Sequence, residues 1–381
     1  LPVIPARLTS RDPHEHHRVA TTLELFVDLA SVIAIASAAA GLHHAISADH
    51  AFEGVVTFVL AFFGIWWAWM NYTWFASAYD DGSLHFRLAT FVFISGALVM
   101  AGGIEAFFAA HDLTLAVLGY VIMRLAMIWL WLAAAAGDPG HRATASRYAG
   151  GIALVQLYWV ALLFLLPPGF GPAFVALFVL GGVLELAVPF VSEKSGMTPW
   201  HRHHIIERYG LLNIIVLGEA LLAIALAVRA AADAEAFDIR LVHLCLAALC
   251  VTFSMWWLYF TDDEHLTDRS HAHAFAWGYG HILIFGAGAA AGAGFAVLVD
   301  VLTDHAKVGL FAGDVAVAVP LALYLAGLWI VRDRLLLTGA RRALLPVAGA
   351  LLLVTPFLPV ALEAMAAIML LTAALRGRRA A

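Results

Sequence analysis

Polar residues are scarce in this chain of 381 residues: 13% are charged, against 63% that are apolar. At a mean hydropathy of +0.89, too little polar surface remains to coat a water-soluble domain of this length, so lipid has to cover much of the exterior. Catalysis on a large aqueous domain is thereby excluded. Cysteine is almost missing. The two present, Cys245 and Cys250, stand five apart in one expected helix with side chains pointing in different directions, which leaves no disulfide, CxxC redox pair or zinc finger. They read as packing residues. No GxxxxGK[ST] phosphate loop occurs, so ATP-driven transport by this chain alone has no support. No cleavable signal peptide is visible, because the first apolar segment is long and follows a polar, His-rich leader over residues 1–19. The net charge of −6 is mild, and nucleic acid is not an expected partner.

What is abundant is apolar sequence in long runs. Twelve stretches stand out, at 20–43, 52–78, 86–110, 112–136, 146–167, 171–191, 204–230, 236–261, 272–299, 307–331, 340–356 and 357–376. Each approaches the roughly 20 residues that cross a bilayer core. The expected fold is all-α, a polytopic transmembrane helix bundle of about 12 spans. With the N-terminus on the cytoplasmic side, the inner segments hold 17 of the 21 Lys/Arg, among them Arg18, Arg208, Arg332 and Arg376. The outer loops hold only Arg229, Arg240 and Lys307. This asymmetry places both termini and the loops near 80, 141, 198, 267 and 336 inside, in a bacterial inner membrane. Arg124 is left over, in the middle of a span.

Landmarks recur between the halves. Trp66-Trp67 matches Trp256-Trp257 and Gly96 matches Gly286, both at an offset of 190, while Glu24 matches Glu207 at 183 and Trp129 matches Trp329 at 200. The spacing points to an internal duplication. The expected organisation is a cytoplasmic leader (1–19), a first six-helix repeat (20–191), a linker (192–203), a second six-helix repeat of the same orientation (204–376) and a tail (377–381). Same-orientation repeats frame the cavity of some secondary transporters, and they also occur as plain scaffolds. The halves differ where polarity differs: Arg124 falls opposite Tyr324, Phe91 opposite His281, and Asp28 roughly opposite Leu211.

Ionisable groups inside a bilayer are costly, so those present usually have partners and face the bundle interior. Glu24 and Asp28 are one turn apart on one helical face, and two ionised carboxylates there would repel without a cation. Arg124 is the obvious candidate cation, with Asp28 or Glu219 its leading partners. Glu207, Arg208, Asn213 and Glu219 share the seventh stretch, Glu185 lies in the sixth, Glu105 in the third and Glu363 in the last. Glu24, Glu207 and Arg208 also fit a plain role capping helices or pairing at the interface. Of 18 histidines only His281 is deep in a span, where a haem would need a second ligand and zinc would need three or four. No metal and no cofactor is expected. The run Trp66-Trp67-Ala68-Trp69-Met70-Asn71-Tyr72-Thr73-Trp74 fits an interfacial aromatic belt, or a cavity floor built around Asn71.

Four segments carry a resemblance. They are Thr21-Thr22-Leu23-Glu24-Leu25-Phe26-Val27-Asp28-Leu29, the tryptophan-rich run continuing to Phe75, His204-Ile205-Ile206-Glu207-Arg208-Tyr209-Gly210-Leu211 with Val216-Leu217-Gly218-Glu219, and Trp256-Trp257-Leu258-Tyr259-Phe260 followed by Trp277-Gly278-Tyr279-Gly280-His281. Together they resemble the bacterial low-temperature-requirement A (LtrA) family. Thr261-Asp262 follows Phe260 here, where the family pattern is expected to place an acid directly. The resemblance implies a polytopic bacterial membrane protein named for a cold-growth phenotype, and no settled biochemical activity.

The function these features favour is a secondary transporter or permease, coupled to protons or another cation through Glu24, Asp28, Glu219 and Arg124, with Asn71, Glu207 and His281 as further pathway candidates. Its partners would be the lipid bilayer and a small-molecule or ion substrate, with a homo-oligomer compatible. One alternative is a membrane-embedded or lipid-handling enzyme using Asn71, His204, Glu207, Tyr259 and Asp262 near the cytoplasmic interface. The other is a pH- or temperature-responsive sensor.

Overall fold

The computed structural model describes residues 7–16, 18–165, 171–233, 239–261, 266 and 271–377. Asp262 and the loop near 267 lie outside the described residues. Helices form at all twelve expected stretches, and no strand occurs among the described residues. They are α1 (Thr22–Ser47), α2 (Ala51–Tyr79), α3 (Leu84–Ala110), α4 (Thr114–Gly137), α5 (Arg142–Leu165) and α6 (Pro172–Ser192). The chain continues with α7 (Arg202–Asp233), α8 (Ile239–Phe260), α9 (His271–Leu302), α10 (Leu310–Leu336), α11 (Gly339–Val354) and α12 (Ala361–Gly377). A π-turn at Trp329–Asp333 interrupts α10 near its end. Eleven of the helices are long and apolar enough to cross a membrane. The last, with 17 residues, reaches only about 25 Å at 1.5 Å per residue.

Local chemistry sets the ends. Ser83 caps α3 by accepting the Phe86 N–H, and His111 closes it in the left-handed region at φ 55. Pro172 opens α6, where its missing N–H costs nothing. Between the ends, large apolar side chains point outward, with Phe164 82% and Leu154 70% exposed. Such a surface is at home in hydrocarbon, and the protein's environment is a lipid bilayer.

The chain forms two compact units. The first holds Leu1–Ala38 and Val59–Arg208, the second Ala39–Phe58 and Tyr209–Ala381, so α1, α2 and α7 are each divided between them. In the first unit α3 packs on α4, α4 on α5 and α5 on α6. The α3–α4 approach is so close at Gly103 that a Cβ there would collide with the Ala116 backbone. In the second unit α9 packs on α10, α10 on α11 and α8 on α12, and Gly294 meets the Ala316 backbone in the same way.

The described part of the leader is tied down to the helices. Leu8 is fully buried and donates its N–H to Ala133 O of α4 at 3.1 Å, while Arg11 donates its own to Ala78 O of α2 at 2.8 Å. The second bond satisfies a carbonyl in the last turn of α2, where the helix end leaves it without an intrahelical partner. Gly137 is where the strap crosses α4, and any side chain there would strike Leu8. Past the end of α4, buried Asp138 accepts from Tyr79 Oη and sits 2.7 Å from His141 Nδ1. Burial alone would push its carboxyl up, but the His141 contacts more than reverse this and hold it below the usual range. A depressed folded value stabilises above the unfolded carboxylate range, about 3.9, and that contribution is lost as pH falls through the folded value. The melting-temperature gap between the protein and Asp138→Asn is therefore expected to persist at pH 5–6 and to shrink below about pH 4.

Candidate functional site

Two buried charge networks lie in the first unit. The outermost turn of α1 explains one half of the first. Thr21 and Glu24 form a capping box: Thr21 N–H donates to Glu24 Oε2 at 2.7 Å, and Glu24 N–H donates to Thr21 Oγ1 at 3.2 Å. The other oxygen of Glu24 faces Arg18 Nη2 at 3.4 Å and His204 Nε2 at 3.0 Å. One turn deeper, Asp28 Oδ1 accepts from Arg208 Nη2 at 2.6 Å and from Trp69 Nε1 at 2.7 Å. His204 and Arg208 are themselves one turn apart on α7, so two helices meet as a ladder with Glu24–His204 and Asp28–Arg208 as its rungs. All four side chains are fully buried. The ladder is unevenly satisfied: among the described residues, Asp28 Oδ2 and Arg208 Nε and Nη1 have no hydrogen-bond partner. Glu207 stands aside and accepts the Ala20 N–H at 3.1 Å.

In the second network the carboxylate is saturated, while Arg124 Nε and Nη1 and Gln156 Oε1 have no hydrogen-bond partner among the described residues. Glu185 of α6 is fully buried and accepts from five groups: Trp67 Nε1 at 2.9 Å, Tyr120 Oη at 2.8 Å, Arg124 Nη2 at 2.8 Å, Gln156 Nε2 at 3.2 Å and Trp159 Nε1 at 3.1 Å. Arg124 also donates to Tyr120 Oη. Arg124 does have an intramembrane carboxylate partner, but it is Glu185, and neither Asp28 nor Glu219 takes that place. Asp28 belongs to Arg208, and Glu219 falls in the second unit.

The family model for the bacterial low temperature requirement A protein (LtrA) matches residues 19–376, nearly the whole chain and every member of both networks except Arg18. The chain belongs to the LtrA family. It is also 27% identical over 252 residues to the uncharacterized protein RA0937 of Rhizobium meliloti (strain 1021), a match covering 63% of this chain. The chain spans 58% of that relative's length.

The remaining candidates of the LtrA chain are dispersed. Asn71 turns back on its own helix and donates to Trp67 O at 2.8 Å. His281, buried in the second unit, places Nδ1 2.8 Å from Trp277 O, with its ring centroid 4.9 Å from that of Tyr209. Glu219 is half-buried where Gly292 of α9 abuts its backbone. Asn213 bonds Tyr324 Oη.

Four residues that matter were read as something else or passed over. Glu185 is the lone acid of an apolar helix, and that isolation was the available signal. Arg18, Arg332 and Arg376 counted as loop cations, yet they are buried and bound to acids, as is Arg208. In the second unit Asp333 accepts from Arg332 Nε at 2.6 Å and from Arg376 Nε at 3.0 Å and Nη2 at 3.1 Å. Arg332 Nη1 meanwhile donates to Leu258 O and Tyr259 O at the end of α8. Four charges are thus removed from the inside total on which the orientation was reasoned.

Proposed function

We propose that this LtrA protein is a secondary transporter or permease of the bacterial inner membrane, coupled to protons or another cation, with both termini cytoplasmic. The observation that carries the reading is the unfinished Asp28–Arg208 rung. A buried carboxylate with one oxygen free, beside a guanidinium with two nitrogens free, is the kind of group that exchanges a proton or takes a small ion or polar substrate. The Arg124–Glu185 network supports a different role, since a carboxylate with five donors has no capacity left for a guest. Arg124 is then a scaffold element, and the coupling centre shrinks to Glu24, Asp28 and Arg208.

Two six-helix repeats, 20–191 and 204–376, remain part of the proposal. The close approaches Gly103–Ala116 and Gly294–Ala316 support it, because their members are related by offsets of 191 and 200, near those of the tryptophan and glycine landmarks. The enzyme reading gains no comparable support: Asn71 is turned to its own helix.

Proteoliposomes holding the full chain and a trapped pH dye test the reading. Pools of small solutes applied outside should include one that moves protons with it, and Asp28→Asn, checked for folding because it strands Arg208, is expected to abolish that signal. Proton-independent uptake that Asp28→Asn leaves unchanged would remove Asp28 from the mechanism.

A further inference from the structure

Beside the first turn of α1 lies an open groove of about 430 Å³, within the first unit and next to the buried ladder, with which it shares Thr21, the capping partner of Glu24. Its walls are chemically mixed. Thr21, Thr22 and Asp80 offer hydroxyl and carboxylate oxygens, Arg87 a guanidinium, and Leu23 and Phe26 apolar surface. Arg87 is exposed, and its side chain makes no hydrogen bond or ion pair among the described residues. Asp80 is only 4% exposed, with Oδ1 held by the Gly82 N–H at 3.0 Å and Oδ2 meeting Thr21 Oγ1 at a long 3.4 Å. Its backbone carbonyl takes Arg11 Nη1. Burial pushes the Asp80 carboxyl above its usual range and the nearby charge of Glu24 adds to this; the Gly82 N–H and the charges of Arg18 and Arg11 offset it only in part, so a further cation here would relieve the site.

The groove sits where helices α1, α2 and α3 begin or end, at the edge of their spans. Below it, α1 presents Phe26, Leu29 and Ile33 along one face, 49%, 54% and 45% exposed. A ligand seated above that face has its polar part in the groove and its apolar part on the stripe.

We propose that this groove binds the headgroup of a zwitterionic phospholipid carrying a primary ammonium, a phosphatidylethanolamine. The phosphate pairs with Arg87 and the Thr22 hydroxyl, the ammonium with Asp80 and Thr21, and the acyl chains lie over Phe26, Leu29 and Ile33. Charge complementarity selects this lipid. An anionic headgroup would answer Arg87 but meet the Asp80 carboxylate, and a trimethylated ammonium would fill the site without N–H groups to give.

Native mass spectrometry of the purified full chain, titrated with short-chain phosphatidylethanolamine, phosphatidylglycerol or phosphatidylcholine, tests this. Binding of phosphatidylethanolamine is expected to be about tenfold tighter than of the other two, the worth of one charge-assisted hydrogen bond. Arg87→Gln should weaken both phosphatidylethanolamine and phosphatidylglycerol. Asp80→Asn should weaken phosphatidylethanolamine and leave phosphatidylglycerol equal or tighter. Equal binding of all three lipids by the unaltered protein would overturn the proposal. So would an Arg87→Gln protein that binds phosphatidylethanolamine normally, and because Arg87 is exposed that variant stays informative even where Asp80→Asn fails to fold. Glycerophosphoethanolamine, the headgroup without chains, should not compete at equal concentration. Effective competition would assign the groove to a soluble phosphoester and overturn the lipid.

Discussion

Arg124→Gln is expected to destabilise the protein by about 3–5 kcal/mol, the usual cost of breaking a buried ion pair from one side. The loss would be read as a shift in unfolding on titration with a denaturing detergent. Glu185 would keep donors from Trp67, Tyr120, Gln156 and Trp159 but lose the one full positive charge within 2.8 Å of it. Arg124→Lys should cost less, because it keeps the charge, yet more than nothing. A lysine ammonium stops one bond short of Nη2, the nitrogen with which Arg124 holds both Glu185 and Tyr120 Oη. Arg124→Gln combined with Glu185→Gln should recover part of the loss, since two neutral amides leave no stranded charge. Additive single effects would show that the two are not energetically paired.

Asp333→Ala is the second large effect, again about 3–5 kcal/mol. This carboxylate neutralises two buried guanidiniums, one from its own π-turn and one from α12. Its removal leaves Arg332 tied only to the carbonyls of Leu258 and Tyr259 and deprives Arg376 of both its bonds to the acid. Arg376→Met should be milder, because Asp333 would retain Arg332. Limited proteolysis should find the α12 end of Asp333→Ala cut first, as the tie between α10 and α12 is lost. A variant that unfolds like the unaltered protein would show these charges to be solvated rather than interdependent.

The number and position of helices were legible because each needs only a local property, an apolar run of sufficient length. Partner choice was not, because it depends on which helices touch. Arg124 could be placed at mid-span from its position, but its selection of Glu185 over Asp28 follows from the packing of α4, α5 and α6, which no spacing encodes. Glu24 shows an intermediate case. Thr21-x-x-Glu24 is itself a capping signature, so its plain role was readable, whereas its contacts with Arg18 and His204 were not. The charge pattern misleads most where opposite charges are neighbours: Arg332 enters the count of inner cations, and the π-turn buries it against Asp333 instead.

The Asp28–Arg208 rung joins residues 180 positions apart, and that interval has a consequence for biogenesis. When α1 leaves the ribosome, five helices and the first two turns of α7 must still be made before its arginine exists. Until then Asp28 is an acid in hydrocarbon with no cation of its own, at a penalty of roughly 2.5–3.5 kcal/mol on insertion scales. α1 is thus a segment that the insertion machinery must retain, or that must rest on Trp69 of α2, until α7 emerges. A nascent chain arrested before Arg202 would be the form in which α1 slips back out of the membrane.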